Sequence, residues 1–148
     1  MKDLSLHIFD LIDNSIAAEA SRVRLEIRED LRNDRLFIRI EDDGNGMDQE
    51  TLNSAKDPFF STKNGKPVGL GLSLFAQAAR ESGGSMQVES QPGGGTKIHA
   101  EFGLTHPDRK PLGDIETTLY TLQAGHPEIA FSCHYEIVEE EGENETQT

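Results

Sequence analysis

Two pairs of short alternating segments constrain the fold of this chain more than any other feature of its sequence. RVRLEIRE (22–29) and RLFIRIE (35–41) alternate apolar and polar residues around the turn DLRND, and SMQVES and TKIHAEFGL repeat the pattern around QPGGG. Alternation of this kind predicts strands that are buried on one face, and the short turns predict hairpins. The apolar face of such a sheet needs a second layer to cover it.

Helical periodicity supplies that second layer. It predicts three helices, over residues 3–19, 48–55 and 70–83. The connection over residues 56–68 has no periodicity and is long enough to be a functional loop. The predicted fold class is therefore α+β, a two-layer α/β sandwich with a mixed, mainly antiparallel sheet and helices on one face.

The segment after residue 104 adds one helix and one strand to this pattern. Asp114 can cap the helix, and the residues from Ile129 to Ile137 alternate as a strand in which Cys133 is expected to be a packed core thiol. We expect a core over 1–104, an extension of the same domain over 105–137, and a disordered acidic tail over 138–148.

Composition excludes several classes of function. The net charge of −13 opposes binding to nucleic acid or to anionic lipid, which depends on Lys and Arg. The chain has no apolar run long enough to cross a membrane and no signal-peptide core, so we expect a soluble cytoplasmic protein. A single cysteine in 148 residues agrees with a reducing compartment.

Three polar motifs have plain explanations when each is considered alone. Asp10, Asp13 and Asn14 can form the solvated side of an amphipathic helix, and DDGNG can be an ordinary turn. VGLGL matches neither of the common glycine-rich nucleotide signatures. Their order along the chain changes this interpretation.

That order resembles the GHKL nucleotide-binding superfamily, which includes gyrase, heat-shock chaperones, histidine kinases and MutL mismatch-repair proteins. The resemblance covers about residues 4–104. It rests on the polar helix, Asp42-x-Gly44-x-Gly46-Met47 after a strand, DPFFSTK, Gly69-Leu70-Gly71-Leu72 opening a helix, and Gly95-Thr96 before a strand.

The resemblance implies a site for ATP and Mg²⁺. Asn14 matches the helix residue that holds the metal, Asp42 matches the acid that accepts the adenine amino proton, and Thr96 shares that contact. The glycines leave room for the base and offer backbone N–H groups to phosphate, and residues 56–68 would form a lid. The residues assigned to the cofactors are Asn14, Asp42, Gly44, Gly46, Met47, Ser61, Thr62, Lys63, Gly69, Leu70, Gly71, Leu72 and Thr96.

Asp10 departs from the family pattern. Hydrolysing branches usually have Glu at this position, as the base that orients water, whereas many histidine kinases have Asn. Asp10, one methylene shorter than Glu, could be a weak catalytic base, an indirect Mg²⁺ contact through water, or neither. His7, one turn earlier, is the only histidine expected near the site.

Three functions from different classes fit this pocket. They are a slow ATPase whose lid reports nucleotide state to a partner, a stand-alone kinase that acts on a separate protein as anti-sigma factors do, and a binding module without turnover. We expect a regulatory, signalling role in a bacterium, with an unidentified protein partner and no phosphoacceptor histidine domain in the same chain. The sequence leaves the oligomeric state open.

Overall fold

Four helices and seven strands form from the residues that the computed structural model describes, which are 3–56, 62–63, 66–67 and 70–139, with side chains at 3–53 and 71–139. In chain order they are α1 (Leu4–Ala17), β1 (Arg22–Asp30), β2 (Arg35–Asp42), α2 (Gln49–Lys56), β3 (Thr62–Lys63), β4 (Lys66–Pro67), α3 (Leu70–Glu81), β5 (Ser85–Ser90), β6 (Thr96–Gly103), α4 (Ile115–Gly125) and β7 (Ala130–Val138).

Five of the strands form one mixed sheet in the order β5-β6-β2-β1-β7. The pairs β5/β6, β6/β2 and β2/β1 are antiparallel, whereas β1 and β7 are parallel. The strands that we predicted as hairpins from their alternation are hairpins, β1 with β2 and β5 with β6. The predicted α+β class and the mainly antiparallel sheet are confirmed.

One face of the sheet packs against the helices. Alternate residues of β1, namely Val23, Leu25 and Ile27, are buried in a single apolar core with residues of α1 and α3. At the centre of this core the rings of Phe75 on α3 and Phe102 on β6 meet edge to face, with centroids 5.5 Å apart. Burial of this apolar area is the main term that stabilises the layer arrangement.

The helices begin and end close to the predicted positions, and capping residues fix the starts of α1 and α4. Asp3 precedes α1 and its carboxylate accepts the backbone N–H of Leu6, and Asp114 does the same for the N–H of Thr117 in α4. One difference lies in the connection over 56–68, where β3 pairs with β4 as an antiparallel ladder of two residues each. Strands this short carry no periodicity that a sequence could reveal.

The strand β7 corrects one expectation. Cys133 is exposed, and on the same face Tyr135 and Ile137 are 44% and 53% exposed. The strand lies at the sheet edge, and its packing against the core stops at Phe131. Alternation correctly predicted a strand here, but a strand at an edge can present its apolar face beyond the helix layer.

The C-terminal elements share the core of the preceding residues. Ile115 and Leu122 of α4 and Ile129 before β7 belong to the same buried cluster as α1 and the sheet. The division of the chain at residue 104 stays a prediction, and residues 140–148 of the predicted tail lie outside the described part of the chain. Among the helices that the structure describes, none has the length and apolarity that crossing a membrane requires.

Asp43 joins the end of β2 to the chain between α1 and β1. Its carboxylate accepts hydrogen bonds from the hydroxyl of Ser21 at 2.6 Å and from the backbone N–H groups of Ser21 and Arg22 at 2.8 and 2.9 Å. These bonds, the one from the Ser21 hydroxyl foremost, lower the pKa of Asp43 below its ordinary value of 3.8. The charged form of this side chain therefore stabilises the fold.

This shift predicts a loss of stability in acid. Because the unfolded chain binds the Asp43 proton more tightly, the stabilisation is present above the ordinary pKa and is lost as the pH falls through the lower, folded value. Urea denaturation at about pH 5 and about pH 3 should show a smaller pH-dependent loss of unfolding free energy in Asp43→Asn than in the wild type. Asp108→Asn, an exposed aspartate in the loop after β6, is the control for the change in net charge; an equal reduction in both variants would contradict the prediction.

Candidate functional site

Two of the predicted polar residues of α1 lie against the start of α3. A Cβ atom built on Gly71 would lie 3.7 Å from Nδ2 of Asn14 and 3.7 Å from Cβ of Asp10. Asn14 is exposed and Asp10 half-buried, whereas Leu11 and Ile12 between them enter the core. The polar side of α1 therefore faces the first turn of another helix, and it is not simply a solvated surface.

The first turn of α3 adjoins this region through Gly71. The first N–H groups of an α-helix have no carbonyl partner within the helix, and they carry the positive end of its dipole. The first turn contains no acidic residue that would cancel this charge. The side chain of Leu72, in the same turn, is buried in the core.

At the other end of the site, two hydrogen bonds orient Asp42, the last residue of β2. Its Oδ2 accepts the hydroxyl of Ser15 at 2.6 Å, and its Oδ1 accepts the backbone N–H of Gly44 at 2.9 Å. Ser15 was not among the predicted site residues. Its signal in the sequence was a hydroxyl directly after Asn14 on the buried side of a helix, where a polar group must find a partner.

The loop after Asp42 needs its glycines for contact with the protein's own backbone. Gly46 has a φ of +70°, and a Cβ atom there would lie 1.9 Å from the carbonyl oxygen of Gln91. A Cβ atom on Gly44 would lie 2.8 Å from the carbonyl oxygen of Ala18. The loop is thus held between the end of α1 and the turn that joins β5 to β6, which leaves no space for side chains at these two positions.

Thr96 lies beside Asp42 because the two residues are paired across β2 and β6. Its hydroxyl is 2.8 Å from that of Ser90, which also accepts the backbone N–H of Met47 at 2.8 Å. The hydroxyl of Ser90 donates to the carbonyl of Gly95 at 3.0 Å. This network connects the turn between β5 and β6 to the loop after Asp42, and Ser90 was also absent from the predicted set.

The structure thus brings Gly71 beside Asp10 and Asn14 of α1, and it brings Asp42, Gly44, Gly46, Met47 and Thr96 together near Ser15 and Ala18, which follow Asn14 closely along the chain. Ser61 and Gly69 lie outside the described residues. Thr62 and Lys63 form β3 and Leu70 begins α3, but their side chains lie outside the described part. Among the described side chains, no group of three or more His, Cys, Asp or Glu is placed to hold a metal ion by itself.

His7, the histidine expected nearest the site, packs in the core. It is buried, and its ring lies 6.0 Å from that of Phe75 at an interplanar angle of 48°. Three residues of a helix rotate by about 300°, so His7 lies about 60° around α1 from Asp10, toward the core. The residue belongs to the packing of α1 on α3.

Comparison with known proteins finds similarity to sensor proteins. A putative sensor protein of Shewanella frigidimarina is 40% identical over 77 residues, which are 51% of this chain and 12% of that protein. Sensor histidine kinase YkoH of Bacillus subtilis is 34% identical over 97 residues, 62% of this chain and 21% of that protein. The chain thus spans a small part of the length of these relatives.

The fold also matches a solved structure, the ATPase domain of Aquifex aeolicus MutL complexed with ADP. The TM-score is 0.57 at 16% sequence identity, and the match covers 91% of this chain and 60% of that one. At this level of identity the likeness concerns the fold. Residues 2–106 match the family described as histidine kinase-, DNA gyrase B-, and HSP90-like ATPase. Since the match extends over most of the chain, the resemblance seen in the motifs is confirmed, and the protein belongs to this ATPase family.

Proposed function

We propose that the pocket between α1, the end of β2 and the start of α3 binds ATP together with Mg²⁺, for slow hydrolysis or for phosphoryl transfer to a separate protein. The observation that carries the proposal is that two consecutive residues near the C-terminal end of α1 contact both of the other elements. Asn14 lies beside Gly71 at the start of α3, and Ser15 supports the carboxylate of Asp42. A ligand with a hydrogen-bonding base and a phosphate chain suits both parts of this region.

The Asp42 end suits adenine. A carboxylate has about four acceptor positions, and the hydroxyl of Ser15 and the N–H of Gly44 use two of them. The others can accept the exocyclic amine of the base. The hydroxyl of Thr96, on the neighbouring strand, is the second polar group on this side.

The α3 end suits phosphate. Backbone N–H groups at a helix N-terminus bind anions, and Gly71 lets them approach the polar side of α1 without a side chain in between. This local arrangement lets a chain of net charge −13 bind a polyanion. Mg²⁺ binds through one or two protein oxygens together with phosphate oxygens, so the exposed carboxamide of Asn14 fits it without a preformed metal cage. Bound there, the ion would neutralise phosphate charge.

Asp10 is the candidate for turnover. Asp10 lies one helical turn before Asn14, and its Cβ faces Gly71, in the region assigned to phosphate. A carboxylate in this region can orient water as a general base, if its reach suffices. Similarity to a sensor histidine kinase supports transfer to a protein as the second outcome. The acceptor would be a separate protein, and the biological role would be to regulate that protein.

The fate of γ-labelled phosphate tests the proposal. Pure protein is incubated with Mg-ATP, beside Asn14→Ala and beside Gln77→Ala, which removes an exposed carboxamide from the outer side of α3. In the wild type and in Gln77→Ala we expect saturating Mg-ATP to raise the melting temperature, since a ligand at about 100 times its Kd adds about 2.7 kcal/mol to the free energy of unfolding. Asn14→Ala should lose most of this effect.

The label separates the modes of action. Free phosphate that depends on Asn14 and Asp10 would establish hydrolysis, and label on the protein, with its own chain as surrogate acceptor, would point to transfer. Label that stays in ATP while ATP still stabilises the fold would make the chain a nucleotide-binding module, or a kinase without its acceptor. The proposal fails if neither turnover nor stabilisation by Mg-ATP occurs.

A further inference from the structure

A buried serine hydroxyl lies directly behind the carboxylate of Asp42. Ser15 is 4% exposed, and its Oγ donates to Oδ2 of Asp42 at 2.6 Å, across 27 positions of sequence. The short distance is typical of a hydroxyl that donates to an ionised acceptor. Neither the motifs nor the family match assigns a role to this residue.

Two donors on two different oxygens fix the plane of this carboxylate. The terminal torsion of an aspartate is broad and roughly two-fold, so one hydrogen bond leaves considerable freedom of rotation. In Asp42 the backbone N–H of Gly44 holds Oδ1 and the hydroxyl of Ser15 holds Oδ2. The acceptor positions left for a ligand therefore point in fixed directions.

We propose that Ser15 is a positioning residue that makes the site selective for purine nucleotides with a 6-amino group. The inference rests on the proposed function, because it requires that Asp42 accepts that amine. A purine with an oxygen at the same position would place that acceptor against the fixed carboxylate of Asp42, which is also an acceptor, and this is unfavourable. Without Ser15 the carboxylate can rotate. Bases with a 6-amino group should then bind more weakly, and bases without it should be disfavoured less.

The same helix offers a matched control. Ser5 is 5% exposed, and its Oγ donates to Oδ1 of Asp3 at 2.6 Å. Helix, burial, distance and acceptor type are thus the same as for Ser15. The difference is that Asp3 caps the start of α1, far along the helix from Asp42. A purely structural contribution of a buried serine should be similar at both positions.

The test compares two nucleotides in Ser15→Ala and Ser5→Ala. The dissociation constants of ATP and of purine riboside triphosphate, which lacks the 6-amino group, are measured by titration calorimetry with Mg²⁺ present. In Ser15→Ala we expect ATP to bind about 3- to 10-fold more weakly, the usual value of one net hydrogen bond, and purine riboside triphosphate to bind as in the wild type. Ser5→Ala should lower the melting temperature and change neither constant.

A second variant covers the case in which Ser15→Ala does not fold. Ser15→Cys keeps a donor at this position, although the sulfur is larger and the donor weaker, so its loss of ATP affinity should lie between those of wild type and Ala. Equal losses for both nucleotides, or unchanged ATP affinity in a folded variant, would overturn the role of Ser15. If the wild type binds both nucleotides equally well, the inference fails and ATP binding stands. If the wild type binds no nucleotide, the proposed function itself fails.

Discussion

Asp42→Asn is expected to weaken ATP binding by about 10- to 100-fold, the range that follows from the loss of a hydrogen bond to a charged group. The carboxylate accepts from Ser15 and Gly44 at once. A carboxamide has a single oxygen, so if that atom still accepts the N–H of Gly44, its NH₂ group takes the other position. One of its hydrogens then points toward the ligand amine, where donor meets donor.

Calorimetric titration with Mg-ATP measures this effect, and the neighbouring residue provides the control. Asp43→Asn makes the same change of charge one position later. The Asp43 side chain accepts hydrogen bonds from Ser21 and Arg22, which do not belong to the proposed site. The Asp43→Asn variant should bind ATP as the wild type does. A folded Asp42→Asn variant with ATP affinity within about twofold of the wild type would contradict the assignment of Asp42.

Phe75→Ala is expected to cost about 3–5 kcal/mol of unfolding free energy, the usual range for a buried Phe. Its ring is fully buried and contacts Phe102 from β6 and His7 from α1. Truncation therefore removes contacts between the two layers at the centre of the core and leaves a cavity there. Urea denaturation at neutral pH measures the loss.

Tyr120→Ala is the matched control, because it removes an aromatic ring that is 76% exposed on α4. We expect its effect to stay within about 0.5 kcal/mol. Where Phe75→Ala is unfolded without urea, Phe75→Leu gives a measurable and smaller loss. Equal losses in the Phe75 and Tyr120 variants would mean that the interface between α3 and the sheet does not centre on Phe75.

The sequence was sufficient to predict the layers because periodicity reports burial directly. Alternation in β1 and β2 matched the residues that face the core, and Asp114 marked the start of α4 through its capping chemistry. The parallel pairing of β7 with β1 was not predictable in this way. Alternation says which residues share a face of a strand, but not which strand lies beside it or how far the helices reach, and for this reason Cys133 was wrongly assigned to the core.

The predicted site residues came from motifs that family members share, and these motifs name the groups that we propose to face the ligand. The groups behind them have no such signature. Ser15 and Ser90 hold Asp42 and Met47 through hydrogen bonds across 27 and 43 positions. A serine is common in helices and turns, so only the spatial structure reveals which carboxylate or N–H it bonds.

The parallel pair of β1 and β7 bears on the order of events in folding. Its paired residues, such as Leu25 and Cys133, lie 108 positions apart along the chain (133 minus 25), whereas β1 reaches β2 through a turn of four residues. Closing the longer loop costs more chain entropy than closing the short turn between β1 and β2. The hairpin of β1 and β2 can therefore form early, and β7 can dock on its free edge only after most of the chain between them has been brought into place.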